Sequence, residues 1–131
     1  MITYLKKYCI SGLVILTILV LCLMDTSTLP EAPMDDFDKL VHVIMFAGLS
    51  GIIFFDNTNY LRRPISKIRI FSGSFVLLVF LGGLIEILQE NFTKTRTGDW
   101  LDFLYDVVGA AFGWGIVLLI NHWLLKKKKS I

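Results

Sequence analysis

The sequence predicts an all-α, polytopic membrane protein, one domain over residues 1–131 folded as a four-helix transmembrane bundle. Three observations carry this prediction. The 131 residues are 55% hydrophobic and only 18% charged, with a mean hydropathy of +0.68. A soluble domain of this size needs far more polar surface. The apolar residues gather in four runs, and the basic residues fall at alternate ends of those runs. The net charge of +2 gives no reason to expect a nucleic-acid partner.

The first run, Leu5–Met24, follows Lys6 and Lys7 at its start and reads as a span over about residues 5–24. A signal peptide has a similar make-up, but this apolar core is long. Leu19-Val20-Leu21-Cys22 also lacks the small residue a lipoprotein site wants before its cysteine. An uncleaved span is the expectation. Cys9 and Cys22 lie on this one helix, separated by roughly 20 Å at 1.5 Å per residue, too far to bridge. No metal-binding Cys spacing is present, so both read as small buried apolar residues.

The loop Asp25–Asp38 carries Pro30, Pro33 and five acidic residues and is too polar to span. The second run, about 39–55, is short against the roughly 20 residues a span needs. It reaches full length only with Asp38, Lys39 and His42 in its outer turn. The third span is expected over about 70–89 and the fourth over about 101–125.

Ten basic residues share one side in this topology: Lys6, Lys7, Arg62, Arg63, Lys67, Arg69 and Lys126 to Lys129. Lys39, Lys94 and Arg96 are left for the other. The positive-inside rule then places both termini and the 56–69 loop in the cytoplasm and turns the 25–38 and 90–100 loops outward. The closing lysine run reads as a stop-transfer anchor attracted to anionic lipid.

Polar side chains at membrane depth are costly and call for named partners. Asp38 and His42 are four apart and share a helix face. Glu86 and Gln89 are three apart at the outer end of the third span. Asp99, Asp102 and Asp106 form one stripe at the start of the fourth, and Lys94 and Arg96 lie in the loop between. All reach the outer side from three helices. The stripe continues as Gly109 and Gly113, a spacing that admits a close helix neighbour and turns the aspartates inward. Gly48, Gly51, Gly82 and Gly83 offer matching small surfaces. Asp38 is placed to orient the His42 imidazole, whereas His122, Trp100, Tyr105 and Trp123 read as interfacial residues.

Several carboxylates cannot sit together ionised in a low-dielectric site. Three readings fit the residues. Lys39, Lys94 and Arg96 neutralise the acids and the cluster only locks the helices. Alternatively, His42 with Glu86, Asp102 and Asp106 holds a divalent metal. In the third, the cluster binds a polar headgroup or moves protons. A conduit needs polar residues right across the membrane, and Leu49–Phe55 and Ile70–Gly82 supply few.

The same residues resemble a known pattern. Asp38-Lys39-Leu40-Val41-His42 with Phe46 and Gly48, then Glu86-Ile87-Leu88-Gln89, then Arg96-Thr97-Gly98-Asp99-Trp100-Leu101-Asp102, Asp106, Gly109 and Gly113, are similar in order to the VanZ-like family. The likeness covers about Asp38 to Gly115. It implies a small multi-pass helical protein of the bacterial inner membrane, part of the cell envelope, in a family named for a member linked to teicoplanin resistance and without an established general activity. It carries the ligand site onto Asp38, Lys39, His42, Glu86, Gln89, Arg96, Asp99, Asp102 and Asp106. Asp106 stands where the family often has Asn, which adds charge. The expected partners are membrane lipid and a cell-wall precursor, and no cofactor is required beyond the metal of the second reading. The other functional class is a metal-dependent hydrolase or transferase acting on a lipid-linked phosphate. The Gly98-x3-Asp102-x3-Asp106 spacing echoes half of the CDP-alcohol phosphotransferase motif, but the upstream half is missing.

Overall fold

A computed structural model describes residues 8–24, 27, 36–60, 67–94 and 98–129. The side chains of 58–60, 67, 68, 70, 71, 121 and 124–129 are outside that description. The described residues form four helices: α1 (Cys9–Leu23), α2 (Phe37–Tyr60), α3 (Lys67–Phe92) and α4 (Trp100–Lys129). No strand occurs among them. Three segments are long and apolar enough to cross a membrane: Phe37–Asn57, Ser72–Phe92 and Trp100–Ile120. The described part of α1 has 15 residues, about 22 Å at the usual helical rise and short of a bilayer core. Of its two cysteines, Cys22 is buried as expected, whereas Cys9, at the helix start, is exposed.

The second helix reaches full length as expected, by taking Asp38, Lys39 and His42 into its first turns. Asp38 there is favourably placed against the helix dipole. The helix also runs on through Asp56 and Asn57, beyond the apolar run. The fourth helix starts at a cap: Asp99 Oδ1 accepts the Leu101 amide at 2.9 Å. A capping aspartate satisfies one of the free amides of a first helical turn.

The exterior is apolar. Phe80, Phe112 and Leu119 are exposed, while His42, Gln89 and Asp106 are buried. That inversion suits a hydrocarbon surrounding, in which polar groups must be satisfied within the bundle. Trp100 and Trp123 are exposed near helix ends, as the interfacial reading expects, and His122 is exposed with them.

The α2–α4 pair is the most extensive contact, and α2 also touches α1 and α3. These two helices run in the same direction, shown by the matched pairs His42–Asp106, Ser50–Ala110 and Gly51–Val117. A Cβ on Gly109 would stand 2.9 Å from the Val43 Cα, and one on Gly113 would clash with the Ala47 backbone. The glycine stripe therefore faces inward as its spacing predicts, and its partner is the α2 backbone at Val43 and Ala47. Gly48 was expected to offer a matching surface, but it is exposed and has open space around its Cβ position. It lies one helical position past Ala47, enough to rotate it off the contact. Gly82 serves differently: its missing Cβ makes room for the Asp106 carboxylate. Phe46, Leu49, Ile53, Leu78, Ile85 and Ala110 fill the core between the bundle's two ends.

Candidate functional site

The polar residues of three helices meet at one end of the bundle. His42 projects from α2 and Asp106 from α4, and both are fully buried. His42 Nδ1 lies 2.8 Å from Asp106 Oδ1. Asp106, 64 residues away in sequence, is thus the group that holds the imidazole. Asp38, expected in that role from its i−4 position, is instead a half-buried neighbour. The two helices approach closely enough for this bond because Gly109 and Gly113 stand directly below it.

Glu86 comes from α3. Its Oε2 accepts the Asp99 backbone amide at 2.8 Å. Gly98 permits this, since a Cβ there would be 2.6 Å from the Glu86 carbonyl oxygen. One carboxylate therefore pins the α3–α4 connection against α3. Asp99 itself caps α4 through its side chain and is exposed, so it is not part of the inward stripe. A cap residue lies outside the helical register, which is why the i, i+3 spacing misplaces it.

Gln89 is buried, and its Nε2 donates to the Cys22 carbonyl oxygen of α1 at 3.0 Å. It anchors α1 instead of joining the His42–Asp106 pair. Asp102 is buried one turn before Asp106. Lys39 was expected among the cations neutralising the acids. It is paired with Asp36 through its ammonium group. Lys94 is exposed, and Arg96 lies outside the described residues.

The centre carries more buried polarity than the described residues satisfy. His42 Nε2, Glu86 Oε1 and Asp106 Oδ2 have no hydrogen-bond partner among them. Two sets of potential ligand atoms lie within 4.8 Å of one another: one from Asp38, His42 and Asp102, the other from His42, Glu86 and Asp106. His42 belongs to both.

A cavity of about 250 Å³ opens beside Glu86, with Glu90, Asp99 and Trp100 in its walls. Gly83, Ile87 and Phe103 are shared with an apolar groove of about 520 Å³ between α3 and α4, which continues past Phe75 and Phe80. The cavity, with three acidic residues set in mostly apolar walls, adjoins the apolar groove at these three residues. Gly83 was read from the sequence only as a small packing surface, and Phe103 carries no signal that reading the sequence would single out.

A second polar centre, at the opposite end, escaped the sequence reading. Asp56 Oδ2 accepts from the Ser11 hydroxyl at 2.6 Å and from its amide at 3.2 Å, and Tyr8 donates to Asn57 Oδ1 at 2.9 Å. The available signal was a lone serine in the first apolar run and an aspartate closing the second.

No family model, curated protein or solved structure matches the chain.

Proposed function

We propose that this chain is a VanZ-like protein of the bacterial inner membrane that binds a lipid-linked ligand, a membrane lipid or a lipid-carried cell-wall precursor. The head would sit by Glu86 and Trp100 and the chain in the α3–α4 groove. The observation that carries this reading is that a cavity with Glu86, Glu90 and Asp99 in its walls adjoins an apolar groove at Gly83, Ile87 and Phe103. An amphiphile needs both in sequence, with few polar groups fixing its head. The His42 end faces outward in this reading because the basic residues gather at the other end. An effect on glycopeptide susceptibility would follow from holding a cell-wall precursor at that face.

Trp100 lies in the cavity wall, so its fluorescence reports binding. Detergent-solubilised protein is titrated with a polyprenyl-diphosphate-linked precursor and, separately, with plain phospholipid. A saturable change that is lost when Gly83→Leu closes the junction supports the reading. A response that Gly83→Leu leaves intact contradicts it. Orientation is tested with Cys9 and Cys22 replaced. A cysteine at Ser27 should then react with an impermeant thiol reagent in intact cells, and one at Asn57 should not. The reverse pattern overturns the outward placement.

The second reading is a metal-dependent hydrolase or transferase acting on a lipid-linked phosphate. The buried His42–Asp106 pair favours it, because a carboxylate-held imidazole is a common general-base arrangement. Release of phosphate from the precursor during the same titration distinguishes turnover from binding.

A further inference from the structure

We infer that His42, Asp38 and Asp102 bind one divalent transition-metal ion, with Asp106 as the residue that positions the imidazole. The starting point is the His42 ring. Its Nδ1 is 2.8 Å from Asp106 Oδ1, and both residues are buried. With Asp106 ionised and the imidazole neutral, Nδ1–H donates to the carboxylate and the ring's lone pair lies on Nε2. Nε2 is buried and has no hydrogen-bond partner among the described residues. A metal-binding histidine is usually arranged in this way, with one nitrogen donating to a carboxylate and the other free for the ion.

The remaining donors stand in place. Asp38 and Asp102 each offer a carboxylate oxygen within 4.8 Å of a His42 ring nitrogen and of each other. Ligand atoms held about 2.0–2.2 Å from a zinc-like ion are on the order of 3–4 Å apart, so a small side-chain rotation closes the set. Asp38 is half-buried at the start of α2, which gives the ion a way in.

The deeper set of His42, Glu86 and Asp106 meets the same distance criterion. It suits an ion less well. Asp106 holds Nδ1, and the two ring nitrogens point away from each other, so Asp106 cannot also reach an ion on Nε2. Glu86 Oε2 accepts the Asp99 amide, which leaves Oε1 as its one available ligand atom.

One imidazole and two carboxylates form a mixed donor set, which favours zinc, manganese, iron or cobalt over calcium and magnesium. Three protein ligands leave a position open for an outside oxygen. His42, Asp38 and Asp102 do not line the cavity beside Glu86, so the ion site goes beyond the lipid reading. The ion site itself needs no lipid, so it can stand if that reading fails.

The test uses the full chain in detergent, free of any histidine tag and stripped with EDTA. Cobalt(II) alone is titrated and followed by its visible absorption, with zinc(II) in competition. Wild type should take up one ion per chain. His42→Ala and Asp102→Asn should abolish the spectrum. Asp106→Asn should weaken binding roughly 10–100-fold while leaving the saturated spectrum similar, the mark of a positioning residue. Glu86→Gln should retain wild-type affinity. Asp38→Asn, at a half-buried position, is the second ligand variant and should weaken binding even if a core variant fails to fold. Gel filtration and thermal unfolding check each protein. No saturable spectrum in folded wild type overturns the proposal. So does a spectrum unaffected by Asp38→Asn and Asp102→Asn. Loss on Glu86→Gln with Asp102→Asn intact would move the ion to the deeper set and overturn the assignment.

Discussion

Two carboxylates are buried almost completely at opposite ends of the same bundle, Asp56 and Asp106, and they are treated differently. Asp56 receives two hydrogen bonds from Ser11, and none of its atoms is left buried without a partner. Asp106 holds one nitrogen of His42 and leaves its second oxygen unpartnered among the described residues, as are His42 Nε2 and Glu86 Oε1. One carboxylate joins two helices, α1 to α2, and is spent in doing so. At the other end three helices contribute polar atoms and the structure uses only some of them. Helix locking takes one satisfied group, as Asp56 demonstrates. Unsatisfied buried groups cost stability, on the order of 1–3 kcal/mol each, and their accumulation in one place marks a site that awaits a partner.

The difference can be broken first through the frame that both centres share. Gly113→Leu places a side chain into the Ala47 backbone. It should separate α2 from α4 and lower stability by roughly 3 kcal/mol or more, at the upper end of overpacking effects. Thermal unfolding in detergent measures this, and a stable Gly113→Leu protein would show that the parallel α2–α4 contact is not what sets His42 against Asp106.

The Asp56 end should respond next most strongly. Asp56→Ala removes both acceptor bonds to Ser11 and should cost about 1.5–3 kcal/mol, the range for hydrogen bonds to a charged group. Ser11→Ala removes only the hydroxyl bond and should cost about half as much. Neither should alter cobalt uptake at the other end, because the sites are separated by the apolar core of Phe46, Leu49 and Ile53. Altered metal affinity in Asp56→Ala would mean that the two ends are coupled.

Much of this arrangement is legible from helical periodicity. His42, Asp102 and Asp106 lie on the buried faces that their spacing assigns, and Gly109 with Gly113 marks the close approach. What periodicity leaves out is the identity of partners across helices. Asp38 is near His42 along one helix, yet Asp106 takes the imidazole, because the choice depends on how α4 docks. Gln89 looks like a neighbour of Glu86 and reaches instead to Cys22 on α1. Asp99 continues an arithmetic spacing but belongs to a cap, where the helical angle no longer applies. The Ser11–Asp56 lock was hidden for a related reason. Asp56 follows an apolar run and reads as the first residue of a loop, whereas α2 continues through it and carries it inward.

The smallest expected effect is also the most telling. Asp102→Asn is nearly isosteric and removes one charge from a cluster that includes Asp38, Glu86 and Asp106. In a scaffold, loss of a buried ion-pair partner destabilises by roughly 3–5 kcal/mol. In a binding site, crowded like charges destabilise the unliganded protein, and neutralising one preserves or raises stability at the expense of function. The deciding measurement is the thermal midpoint of metal-free Asp102→Asn beside metal-free wild type, with Asp56→Ala as the structural reference. An Asp102→Asn midpoint equal to or above wild type, with Asp56→Ala clearly below, is the expected result. A fall in Asp102→Asn as large as that of Asp56→Ala would contradict the site and return the whole cluster to a structural role.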